Sequence, residues 1–196
     1  MFISLPLPLL HALTLFTPTR VGRPWMCGVN FQTTTDGHLL ASATDGVAAL
    51  QVRLLAADCP AGFNRTAPTD FIKSLPKRGE AVLAFGGDDL SVSVGNTTAT
   101  GKLLPSSDIF PPLRRAAPAP EQAGKPAEFY FEQLARFSKA AKLAGWGSPR
   151  LHMHGDRAGV IGFGEDVAAC GLIQRWEFKD GKGKVRPLPT VPEWLA

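Results

Sequence analysis

An α+β fold made by repeating one small unit is what this sequence predicts. Three observations lead there. Asp-Gly and Gly-Asn pairs separate short apolar alternations, a hairpin signature. At three places a short helix-period segment precedes three such strands. Of 196 residues, 44% are hydrophobic and 19% charged, which is globular composition and excludes a disordered chain. That length suffices for one large core or two small ones.

The first unit runs from Leu9 to about Leu55. A short strand, Phe2 to Leu5, leads into a helix from about Pro8 to Phe16. Proline is tolerated in a first turn, where its missing N–H has no intrahelical partner. Strands are expected at Trp25–Thr33, His38–Thr44 and Val47–Leu54. Thr35-Asp36-Gly37 and Thr44-Asp45-Gly46 form the turns, with glycine accepting positive φ.

The second unit runs from Thr66 to about Leu104. Its helix, Thr69 to Leu75, is capped by Thr69 and stopped by Pro76. Strands follow at Ala81–Phe85, Leu90–Val94 and Thr97–Leu103. Gly86 to Asp89 and Gly95-Asn96 are the turns. In Leu90-Ser91-Val92-Ser93-Val94 the apolar residues alternate strictly, so one face is buried and the other wet.

Pro105 to Pro126 is rich in Pro and Ala and sustains neither ladder nor helix, so it reads as extended. The third unit spans about Ala127 to Trp176. A strand, Glu128–Phe131, leads into a helix from about Glu132 to Leu143. Leu134, Phe137 and Ala141 share one face of it. Arg136, Lys139 and Lys142 share the other. Strands follow at Arg150–His154, Gly159–Phe163 and Ala168–Trp176. The chain thus divides into a two-unit domain (1–112), a linker (113–126), a half-domain (127–178) and a basic Gly/Pro tail (179–196). Helices that cannot bury their apolar face alone should pack on sheets shared between units.

Net charge is +4, an excess that permits nucleic acid as a partner without demanding it. Cys27, Cys59 and Cys170 are too far apart for a zinc ribbon or a thioredoxin motif, and read as reduced thiols in the cytoplasm. The apolar start, Met1 to Phe16, lacks the basic residues and cleavage site of a secretory signal and is too short to span a bilayer. His152, His154 and Asp156 could ligate a metal but read more simply as surface residues. Asp88-Asp89 is a hairpin tip rather than an acid/base pair. Gly162-Phe163-Gly164 lacks the third glycine of a dinucleotide site. Gly145-Trp146-Gly147-Ser148-Pro149 is not a nucleophile elbow. No catalytic residue and no cofactor is therefore expected.

Several segments, taken in order, resemble the bacterial beta sliding clamps, the DNA polymerase III beta subunits. Ala43-Thr44-Asp45-Gly46 is similar to a strand end in their middle domain. The helix Phe71-Ile72-Lys73-Ser74-Leu75 follows at the right interval. Gly101-Lys102-Leu103-Leu104-Pro105-Ser106-Ser107-Asp108-Ile109-Phe110-Pro111 resembles their Lys-Leu strand and Phe-Pro-Asp loop. Cys170-Gly171-Leu172-Ile173-Gln174-Arg175-Trp176 resembles their apolar last strand closed by Arg. The likeness covers roughly residues 8 to 176.

That resemblance implies a DNA-clamp-like fold of three βαβββ half-domain units. It implies a non-catalytic processivity or recruitment scaffold of DNA replication. Basic helices would meet double-stranded DNA without sequence preference. Here those residues would be Lys73, Lys77, Arg78, Arg136, Lys139 and Lys142. It also implies an apolar pocket in which a polymerase or other replication protein docks a short peptide. The corresponding positions are Thr44, Gly46, Val47, Ala48, Ala49, Cys170 and Leu172. Where clamps carry an aromatic or His, then Arg, then Leu, this chain has Val47, Ala48 and Ala49, so the pocket is reshaped. Clamp rings contain twelve units, so three per chain imply a homo-oligomer with a domain assembled between subunits. The alternative is a clamp-fold regulator that binds partners without encircling DNA. Ala12-Leu13-Thr14-Leu15-Phe16 also resembles the peptide clamps bind, but fits the buried face of the first helix.

Overall fold

Each helix is entered directly from extended backbone. At Pro6, Pro68 and Tyr130, the residues before the three helices, φ/ψ is −65/130, −60/140 and −65/128. The computed structural model describes residues 1–18, 23, 26–54, 59–105, 110, 113, 129–154, 158–164 and 169–174, with 152–154 described by backbone alone. The first unit contains β1 (Phe2–Pro6), α1 (Leu7–Thr14), β2 (Gly28–Thr33), β3 (Leu39–Thr44) and β4 (Ala48–Leu54). The second contains β5 (Asn64–Pro68), α2 (Thr69–Ser74), β6 (Glu80–Gly86), β7 (Asp89–Val94) and β8 (Thr97–Lys102). The third contains α3 (Phe131–Ala144), β9 (Arg150–His154), β10 (Ala158–Gly162) and β11 (Ala169–Gln174). The helices begin at residues 7, 69 and 131, a constant interval of 62.

The first two units interleave. A four-stranded sheet runs β1-β6-β7-β8, and a seven-stranded sheet runs β5-β2-β3-β4-β11-β10-β9. Each unit therefore lends its leading strand to the other unit's sheet: β1 pairs with β6, and β5 with β2. In both pairings the residue before the helix stands opposite the first residue of the strand it joins, Pro6 against Glu80 and Pro68 against Gly28. All these pairings are antiparallel.

β5 has no counterpart among the strands expected from sequence. Asn64-Arg65-Thr66-Ala67-Pro68 lacks apolar alternation, so its strand character comes from its place at the sheet edge. The buried Asn30 side chain on β2 holds it, donating to Asn64 Oδ1 at 2.6 Å and Thr66 Oγ1 at 3.1 Å. Pro68 ends the strand where no further ladder donor is needed. Thr69 also differs from expectation. It is the first helical residue rather than the cap, and its hydroxyl donates to the Cys27 carbonyl at 2.9 Å. The strand expected at Glu128–Phe131 is not seen within the described residues. Phe131 already belongs to α3, and residues 127–128 lie outside them, as do residues 114–126 of the linker and all of the tail.

Apolar alternation decides which strand faces turn inward. One contiguous core joins α1, α2 and α3 to both sheets. Phe31 on β2 and Phe85 on β6 meet edge to face at 5.3 Å, linking the two sheets. Phe16 and Phe137 meet at 4.7 Å, linking α1 to α3. The third unit seats on its helix through Gly171, where an added Cβ would lie 2.3 Å from the Phe137 ring. Gly101 on β8 serves the same purpose for Phe71 of α2, at 2.6 Å. Among the described residues, no helix is long and apolar enough to cross a membrane.

Candidate functional site

The Thr-Asp-Gly segment closes the β3–β4 hairpin by using its own polar atoms. Asp45 Oδ1 accepts the N–H groups of Val47 and Ala48, each at 2.9 Å. Thr44 Oγ1 donates to the Ala48 carbonyl at 2.9 Å and accepts the Gly46 N–H at 3.1 Å. Gly46 sits at φ 89, a conformation L side chains rarely adopt.

Asp45 Oδ2 is left over, and it binds Arg136 Nη1 of α3 at 2.7 Å. The rest of that guanidinium is also engaged. Nε and Nη2 donate to the Leu15 carbonyl at 2.9 and 2.6 Å, and Nη1 also meets Gln133 Oε1. Its plane lies 4.9 Å from the centre of the Phe16 ring, a cation–π contact. Carboxylate and guanidinium are 18% and 19% exposed. Arg136 thus caps the carbonyl end of α1, where helix carbonyls lack intrahelical partners and a cation is favoured. This corrects its expected place on a DNA-facing surface: its donors are spent inside the protein, tying the third unit to the first.

Just beyond the hairpin, β4 pairs with β11. Ala49 stands opposite Leu172, Ala48 opposite Ile173, and Gln51 opposite Cys170. The ladder is extended by the Gln174 N–H, which donates to the Val47 carbonyl at 2.7 Å. The two segments chosen from sequence as pocket walls are therefore neighbours, although roughly 120 residues separate them in the chain. Strand alternation divides them between two faces. Ala48, Leu50 and Ile173 turn to the main core, whereas Ala49 and Leu172 form a separate small cluster on the other face with Phe110 and Leu113. Thr44 is buried behind the turn, and Gly46 is exposed at its tip. Cys170 is exposed as a residue, yet its sulfur is partly shielded from water, which pushes the thiol above its ordinary value.

Phe110 and Leu113 were missed as site residues because they sit in the proline-rich stretch. Their signal was two large apolar residues flanking Pro111-Pro112, where a solvated linker has no use for them. Both are buried, at 1% and 8%.

Lys73, on α2, and Lys77 and Arg78, just after it, are exposed. So are Lys139 and Lys142 on α3, on the side opposite the buried Phe137, Ala140 and Ala141. The helices lie side by side in the order α2, α1, α3. Among the described residues, no group of three His, Cys, Asp or Glu could hold a metal ion. Asp156 lies outside them, as do the side chains of His152 and His154.

The same arrangement occurs in solved structures. The DNA polymerase III beta subunit of Thermotoga maritima superposes with a TM-score of 0.64 at 14% identity, over 92% of this chain and 66% of that one. This chain has the fold of the bacterial beta sliding clamps. The clamp of Bacillus subtilis gives 0.65 at 17% identity, over 91% of this chain and 64% of its own. The Bartonella birtlesii clamp bound to griselimycin gives 0.65 at 15% identity, over 90% and 66%. The chain therefore spans just under two thirds of these clamps. No family model and no curated protein matches the sequence.

Proposed function

We propose that this chain is a clamp-fold scaffold of DNA replication that docks partner peptides at the β4–β11 junction and meets duplex DNA through its helix side. It works without chemistry of its own. The observation that carries the reading is the junction itself. The Thr-Asp-Gly hairpin and the apolar strand β11 lie side by side, and Ala49, Leu172, Phe110 and Leu113 gather beside them. Leu172, half-buried at the margin of this cluster, is the apolar side chain that a short peptide with apolar anchors would meet. Alanine at 49 removes bulk from one wall, so the preferred anchor differs from that of the clamps it resembles. Cys170 and Val47 would form the rim.

Lys73, Lys77, Arg78, Lys139 and Lys142 supply the positive charge toward DNA. Their exposure on or just after two helices supports the reading, and contacts of this kind carry no sequence preference.

The test is fluorescence anisotropy with a labelled Gln-Leu-Ser-Leu-Phe peptide, with griselimycin as a second probe. Binding by the parent and its loss in Leu172→Asp supports the junction as the site. Equal binding by parent and variant would end this assignment.

A further inference from the structure

The central helix of the helix side brings no fixed charge to it. Along α1 and its last turn, Pro8, His11 and Leu15 are half-buried and form one stripe at helical spacing, whereas the other residues of α1 are buried. His11 is the fifth residue of its helix, as Lys73 is of α2. The repeat thus sets an imidazole where the next unit presents an exposed ammonium.

That imidazole holds a loop. His11 Nε2 lies 3.0 Å from the Pro76 carbonyl oxygen, just beyond α2. A carbonyl can only accept, so Nε2 carries the hydrogen and donates it. The first N–H of α1, that of Leu7, has no partner within its own helix, and it donates to the Gly79 carbonyl at 2.9 Å. Between these two anchors stand Lys77 and Arg78, both exposed. Ahead of them Leu75 is buried in the core. After them Gly79, at φ 107, turns the chain into β6. The loop bearing two adjacent cations is therefore pinned to the central helix at both ends. The Leu7 tie is backbone, and its like recurs where the Thr69 N–H donates to the Cys27 carbonyl at 2.9 Å. The other tie depends on a single side chain.

We propose that His11 is a positioning residue for duplex DNA: by holding Pro76 it fixes Lys77 and Arg78 in place to meet the sugar–phosphate backbone. This rests on the reading of the helix side as the DNA face and deepens it. Cations on a loose loop must surrender their freedom on binding, whereas cations already fixed do not. His11 acts through the loop and neutralises no phosphate itself. It therefore raises the strength of binding without changing its salt dependence.

The experiment measures duplex DNA binding by the full chain across a salt series. His11→Ala should weaken binding about 3- to 10-fold at fixed salt and leave the slope of log K against log salt as it is. His11→Gln, whose side-chain amide can donate to the same carbonyl, should restore the parent affinity to within about twofold. Replacing both Lys77 and Arg78 by Ala should flatten the slope by about 0.9 for each phosphate no longer neutralised. In that background His11→Ala should have no further effect, because the residues it positions are gone. Circular dichroism and urea unfolding check that each variant folds, as expected for changes at exposed and half-buried positions. An undiminished effect of His11→Ala in the background lacking both cations would overturn the inference and leave the DNA face standing. So would no effect in the parent, or no rescue by glutamine. Parent binding that ignores salt, or that survives the loss of Lys77 and Arg78 unchanged, would overturn the DNA reading of this loop and the inference with it.

Discussion

Asp45→Asn is expected to loosen the third unit from the first while leaving the hairpin intact. The asparagine oxygen can still accept the N–H groups of Val47 and Ala48, as Asp45 Oδ1 does at 2.9 Å. What disappears is the charge facing Arg136 at 2.7 Å. A hydrogen bond between charged groups contributes about 1.5–3 kcal/mol. Both groups are less than a fifth exposed, so solvent screens only part, leaving about 2 kcal/mol. For a chain of this size that lowers Tm by about 4–8 °C. Asp45→Ala removes the two turn bonds as well, bringing the destabilisation to about 4 kcal/mol. A double-mutant cycle with Arg136→Met, read by urea unfolding, isolates the pair, with a coupling of about 1–3 kcal/mol expected. Hydrogen exchange should locate the loosening in α3 and β11. Additivity within about 0.5 kcal/mol, or faster exchange confined to the first unit, would refute the reasoning.

Other outcomes follow from the same geometry. Gly171→Ala places a methyl 2.3 Å from the Phe137 ring and should cost about 1–3 kcal/mol of stability in denaturant unfolding, as overpacking does. Charge reversal of Lys139 and Lys142 should weaken DNA association and flatten the plot of log K against log salt by about 0.9 for each phosphate no longer neutralised; an unchanged slope would remove α3 from the DNA face. By contrast, Arg136→Met should lower stability and leave that slope as it is. The Asp89 carboxylate, hydrogen-bonded to Lys102, holds that ammonium above its ordinary value. A raised folded-state value means the pair's contribution is present below about pH 10.5, the unfolded value, and fades as pH rises through the folded one. The stability difference between parent and Asp89→Asn should therefore vanish in strong alkali.

How much of this was legible in the sequence depended on range. Local signals read well: Leu90–Val94 alternates because one face is wet, and the glycines of the Asp36-Gly37 and Asp45-Gly46 pairs adopt positive φ as their turns require. β5 was hidden because its strand character lies in its neighbours, with Asn30 supplying hydrogen bonds that no local pattern announces. Sheets shared between units were expected, but which strand each unit lends was not, since pairing partners are set by packing. At the site, the two walls were found through resemblance, and their adjacency at Ala49 and Leu172 agrees with it. Arg136 was misread for a physical reason. Spacing with Lys139 and Lys142 reports a shared helical stripe, but not that one end of the stripe abuts the last carbonyls of α1 and a spare carboxylate oxygen.

The β4–β11 ladder also sets an order of events for a chain emerging from the ribosome. β4 is complete by Leu54, yet the strand that covers its edge ends at Gln174. Throughout synthesis of everything between, β4 offers unsatisfied backbone groups to any passing strand. Closing a pairing of such long sequence separation is slow, and until then one edge of β4 stays bare. Nascent chains of this protein should therefore be most vulnerable to mispairing late in translation. A chaperone that shields strand edges would act during that interval, rather than on the finished molecule.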